Sequence, residues 1–153
     1  METTTEAVIM RVLVLMAEAD GEIALQEQQM LRNICIEHFP GTGSASWYDA
    51  LTSQMDLKSA AIAIPQRKRS LTLKLAYMLI SACGEERGFP INPAELYAFN
   101  ALVNHLELTE DQREQAVTAA KRDLNNSADP WIMLRTQFRK HFGTGRNASE
   151  SSL

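Results

Sequence analysis

The chain has 153 residues, the size of one ordinary domain that can bury a core without disulfides or a structural metal. It is 45% hydrophobic and 22% charged, the balance of a soluble globular protein. With 19 acids against 15 bases its net charge is −4, which excludes a global drive toward nucleic acid or anionic lipid.

The first residues, Met1-Glu2-Thr3-Thr4-Thr5-Glu6, are acidic and polar where a secretory signal carries positive charge. Residues 6–19 then read as a helix. Val8, Ile9, Met10, Val12, Leu13, Val14, Leu15 and Met16 leave only Arg11 polar in its middle, as expected of a central, buried helix. With Arg11 and Glu18 the run is too short and too charged to span a bilayer. Asp20-Gly21 follows as a turn, because glycine adopts the left-handed conformation that closes helices.

Residues 25–38 form a second helix with Met30, Leu31, Ile34, Cys35 and His38 on one stripe. The run Pro40-Gly41-Thr42-Gly43-Ser44 breaks it. Ser44 or Ser46 is placed to cap a short helix carrying Trp47, Tyr48, Leu51 and Met55. Asp56 is placed to cap another that runs to about Ile64 and stops at Pro65.

Residues 67–82 repeat the opening theme. Leu71, Leu73, Leu75, Ala76, Met78, Leu79 and Ile80 are interrupted only by Thr72, Lys74 and Tyr77, which predicts a second central helix. It is expected to end at Gly84, in a loop Gly84-Glu85-Glu86-Arg87-Gly88-Phe89-Pro90. Asn92-Pro93-Ala94-Glu95 starts the next helix, with asparagine as N-cap, proline at the first helical position and glutamate at the third. That helix carries Leu96, Phe99, Leu102, Val103 and Leu106. Thr109-Glu110-Asp111-Gln112 is a further capping box, opening a helix to about Leu124. Asp129-Pro130 opens the last, with Trp131, Leu134, Phe138 and Phe142 on one face.

The fold class is therefore all-α: one bundle of seven or eight helices over residues 1–142, with 143–153 a disordered tail. The two central helices also align. Displaced by 63 positions, Val8 falls on Leu71, Leu13 on Ala76, Met16 on Leu79 and Gly21-Glu22 on Gly84-Glu85. A five-residue insertion then brings Ile23 onto Ile91, Glu27 onto Glu95, Leu31 onto Phe99 and Ile34 onto Leu102. An internal pseudo-two-fold, with the two buried helices paired, follows from this.

The pattern resembles the tellurite-resistance TerB family, including the TerB-like domains of some membrane-tethered co-chaperones. It is carried by Ala19-Asp20-Gly21-Glu22-Ile23 with Glu27, by Ile91-Asn92-Pro93-Ala94-Glu95, and by Leu106-Glu107-Leu108-Thr109-Glu110, and it covers roughly residues 6–125. The resemblance implies an all-helical fold, acidic residues that bind a divalent cation, and a role in stress response or membrane-associated complexes. It implies no catalysis. One departure is that Cys83 stands where the first half has Asp20.

Asp20, Glu22 and Glu27, with Glu85, Glu86 and Glu95 from the other half, are the candidate ligands. Clustered carboxylates repel one another, and an all-oxygen set suits Ca²⁺, Mg²⁺ or Mn²⁺. The competing reading is that Glu27 and Glu95 cap their own helices.

No other chemistry competes. His38, His105 and His141 stand at no metal-ligand spacing, and no glycine-rich phosphate loop is present. Cys35 and Cys83 lie in apolar runs and read as buried free thiols of a reducing, cytoplasmic compartment. A non-enzymatic module that works through protein partners is expected. The alternative is a metal-free adaptor. It would bind an acidic protein, a membrane surface or nucleic acid through the basic last helix, which joins Arg135, Arg139 and Lys140 to Trp131, Phe138 and Phe142. Against it stands the simpler view that those aromatics dock on the bundle.

Overall fold

The computed structural model describes residues 5–19, 21, 23–38, 43–86, 93–126 and 129–142, without the side chains of 38, 43–46, 84–86 and 142. Among these residues all regular structure is helical, in eight segments. They are α1 (Thr5–Ala17), α2 (Leu25–His38), α3 (Gly43–Thr52), α4 (Leu57–Ala63), α5 (Gln66–Glu86), α6 (Pro93–His105), α7 (Glu110–Asn125) and α8 (Pro130–Phe142).

Local chemistry sets most of these ends. Past α1 the chain turns with Gly21 at φ +120°, a backbone angle that favours glycine. Asp56 caps α4, its Oδ1 accepting the Ser59 N–H at 2.8 Å. At α7 the capping box is complete. The Thr109 hydroxyl accepts the Gln112 N–H at 3.1 Å, and Gln112 Oε1 accepts the Thr109 N–H at 2.9 Å. Asp129 Oδ1 accepts the Trp131 N–H at 2.9 Å at the start of α8.

The hydrophobic runs of α1 and α5 pair at the centre. Ile9, Met10, Leu13 and Met16 from α1 are buried against a core that holds Leu73, Leu75, Met78 and Leu79 from α5. Burying each such side chain is worth about 1.5–3 kcal/mol. This apolar pairing is the largest visible reason for the architecture.

Part of the packing follows the pseudo-two-fold, although the α2–α3 contact has no comparable α6–α7 counterpart. α1 carries α3 and α4, as α5 carries α7 and α8. α2 packs on α3 of its own half and also reaches α8, while α6 packs on α5 of its own half and also reaches α4. The second helix of each half thus also touches the fourth helix of the other. Repeat-equivalent cations tie each half together. Arg11 of α1 donates to the carbonyls of Ala50 and Met55, both at 2.9 Å. Lys74, its counterpart in α5, pairs with Asp123 of α7 at 2.6 Å and donates to Gln137 of α8 at 3.1 Å.

Three expectations are corrected. α5 does not stop at Gly84; it continues through Glu85 and Glu86. Glycine can prolong a helix at a cost of roughly 1 kcal/mol, which the burial of Ile80, Ala82 and Cys83 offsets. Ser44 and Ser46 fall inside the first turn of α3, which already begins at Gly43. Leu96 is 39% exposed, because the face of α6 turned to the core runs through Glu95, Phe99, Leu102 and Val103. Pro40, Asn92, residues 87–91 and the tail 143–153 lie outside the described residues.

Candidate functional site

The acidic corner starts with two helix beginnings. Glu27 is the third residue of α2 and Glu95 the third of α6, so each carboxylate sits where the helix leaves backbone N–H groups without intrahelical partners. Glu27 Oε1 accepts the Ala24 N–H at 3.4 Å. Alanine has no hydroxyl to return the bond, so this is half a capping box. Gln28 Nε2 donates to the Ile23 carbonyl at 3.1 Å and fixes the entry of the chain into α2.

Both carboxylates are out of water: Glu27 is 1% exposed and Glu95 0%. Capping alone does not demand that. Gln112 completes its box at the same position of α7 while remaining half-exposed. A buried carboxylate needs a proton, a cation or several donors around it. The hard oxygens of Glu27 and Glu95 are donors of the kind that Ca²⁺, Mg²⁺ and Mn²⁺ take. Among the described residues no three His, Cys, Asp or Glu side chains gather closely enough to hold an ion. Asp20 and Glu22 lie outside those residues, and Glu85 and Glu86 stand in the last turn of α5 with their side chains likewise outside.

The other chemical groups are disposed of by burial. Cys35 and Cys83 are fully buried free thiols. Burial pushes the Cys35 thiol up to about 12, so it carries no thiolate at neutral pH. Burial, followed by the charges of Lys140, Lys74 and Lys68, holds His141 below the usual imidazole value.

On α8, Trp131, Leu134 and Phe138 are buried in the core, so these residues dock on the bundle. What remains exposed is Ile132, Arg135, Arg139 and Lys140. Arg135 grips Glu37 of α2 through two bonds, at 2.5 and 3.0 Å. Beside this pair lies a groove of about 440 Å³ between α2 and α8, lined by Met30, Ile34, Ile36 and Trp131 as well as the pair itself. Sequence reasoning missed it. The available signal was Ile36 and Ile132, each off the apolar stripe of its own helix and each exposed, at 42% and 53%.

The chain matches no family model, no curated protein and no solved structure. Among the described residues no helix is long and apolar enough to cross a membrane.

Proposed function

We propose that the chain is a non-enzymatic, TerB-like helical module that takes a divalent cation at the acidic corner and acts through protein contacts, in a stress-linked setting of the tellurite-resistance type. The observation that carries the reading is the burial of Glu27 and Glu95, equivalent in the two halves, beyond what capping needs. Asp20 and Glu22, next to the start of α2, are the further ligands of the first half; Glu85 and Glu86 are those of the second. A cation there would add a counter-charge to the partners the two buried carboxylates already have, and would join the loops after the two central helices to the helices that follow.

Thermal melting tests this. Ca²⁺, Mg²⁺ or Mn²⁺ at a hundredfold excess over its Kd should stabilise the fold by about 2.7 kcal/mol, raising Tm by roughly 5–10 °C. Glu27→Gln and Glu95→Gln keep an acceptor at the helix start, so they should fold and lose that rise. If none of the three ions moves Tm, and the glutamine variants melt like the parent, the cation reading is wrong.

A further inference from the structure

We propose that His141, with the Lys74–Asp123–Gln137 cluster it faces, is a proton-operated latch. Neutral, it lets the last turn of α8 lie against α5 and α7; on gaining a proton, it releases that turn. The proposal is independent of the cation reading.

The latch is built where three helices meet. α5 packs on both α7 and α8, and Lys74 stands in the seam. Its side chain is 15% exposed, and its ammonium pairs with Asp123 of α7 at 2.6 Å and donates to Oε1 of Gln137 at 3.1 Å. Gln137 is 4% exposed, so a polar tie out of water holds this end of α8 to α5. His141 follows Gln137 by four residues, which puts both on one face of α8, about 5–6 Å apart at Cβ. The imidazole is half-buried there, one turn beyond the tie.

The charges that face it are unequal. Lys74 and Lys68 come from α5, Lys140 from α8 itself, and Asp123 from α7. Three cations stand against one carboxylate, and that carboxylate is already engaged by Lys74. α2, the other helix on α8, brings Glu37, which is held by Arg135 on an earlier turn. Arg139, two positions before His141, lies on a different face of the helix.

One force works the other way. His141 sits in the last turn of α8, where the helix dipole favours a cation. Burial, followed by the three lysines, outweighs it and holds the imidazole below its usual value. The fold therefore prefers the neutral ring. The stability tied to that preference is whole above the unfolded value, near about pH 6.5, and is lost as pH falls through the lowered folded value. Phe138, fully buried where that turn begins, loses cover when the turn leaves.

The test uses the full chain with a chelator present. Histidine ring resonances and backbone amide exchange are followed from about pH 8 to about pH 4.5, with His141→Gln assigning the His141 signal. His141 should titrate below a histidine in a short unfolded peptide. Corrected for chemical exchange rates, protection of amides 138–142 should fall at least about threefold as His141 charges, while amides 73–80 of α5 keep theirs. Lys140→Gln, at an exposed position, should move the His141 midpoint up and shrink that loss. In His141→Gln the loss should vanish. The proposal is overturned if His141 titrates at or above the peptide value. It is overturned if amides 138–142 stay level or gain protection, as the helix dipole alone would make them, or if α5 loses protection in step, since the response is then global. It is also overturned if His141→Gln loses protection over the same pH range as the parent, which would place the proton elsewhere.

Discussion

Glu107 sits at φ +57°, and among the described residues no other side-chain-bearing residue has positive φ. The reason is local. Glu107 donates its N–H to the Asn104 carbonyl at 3.1 Å, and Leu108 donates back to Val103 at 3.4 Å, the bond pair that closes a helix through a left-handed residue. Glycine fits there better. Glu107→Gly removes a strain of about 1–2 kcal/mol and adds about 0.5–1 kcal/mol of unfolded-state entropy. The 3.8 Å contact of Glu107 with Arg69 is exposed on the glutamate side and offsets little of this. The variant should melt roughly 1–4 °C higher; a lower Tm would show that the pairing with Arg69 outweighs the strain. Asp56 carries a second residue-scale prediction. Hydrogen bonds from Ser59, backbone first, hold its carboxyl below the usual range. Its folded pKa therefore lies below the unfolded one. The stability it contributes is present above the unfolded value, near about pH 3.9, and is lost as pH falls through the lowered folded value. Asp56→Asn keeps the cap without the charge. Its Tm should fall less than that of the parent between about pH 5 and about pH 2, and parallel curves would refute the assignment.

At the scale of elements, the repeat-equivalent cations make a matched pair of tests. Lys74→Met leaves Asp123 and Gln137 facing an apolar chain, at a cost of about 1–3 kcal/mol in urea unfolding. Arg11→Met should cost about as much, because the Ala50 and Met55 carbonyls lose the guanidinium that accounts for them. Losses under about 0.5 kcal/mol would mean that water substitutes freely for both. These ties were not legible in the sequence, where Arg11 and Lys74 read only as interruptions of apolar runs. The helix starts were, because Asp56, Thr109-Gln112 and Pro93 state their geometry in single residues. The end of α5 was misread. A glycine followed by acids looks like a terminus, and only tertiary burial of Cys83 shows why the helix runs on. The candidate site divides the same way. Glu27 and Glu95 are visible as repeated acids, but capping explains them fully until their burial is seen. The α2–α8 groove joins residues about a hundred positions apart, and no single-helix periodicity reports that.

The whole molecule is two halves that do not close separately. α1 and α5 bury their apolar faces on each other, α2 rests on α8, and α6 rests on α4. Cut at the α4–α5 junction, residues 1–64 would expose the α5-facing side of α1 and the α8-facing side of α2, and residues 65–142 would expose the matching surfaces. A chain of about 60 residues buries only about 60% of its surface even when it is well packed, so losing such a face leaves it below the threshold for folding. Each fragment alone should therefore melt without a cooperative transition by circular dichroism. Mixed at micromolar concentration, the two should regain helicity and sediment as a one-to-one complex. The cross-contacts of α2 with α8 and of α6 with α4 add to the α1–α5 pairing that must re-form between the fragments. A variant of the first fragment lacking α2 should pair much more weakly, because α8 then has no partner across the seam. If residues 1–64 melt cooperatively alone, the half is self-sufficient. The cross-contacts of α2 and α6 would then be a consequence of the duplicated fold and not a condition for it.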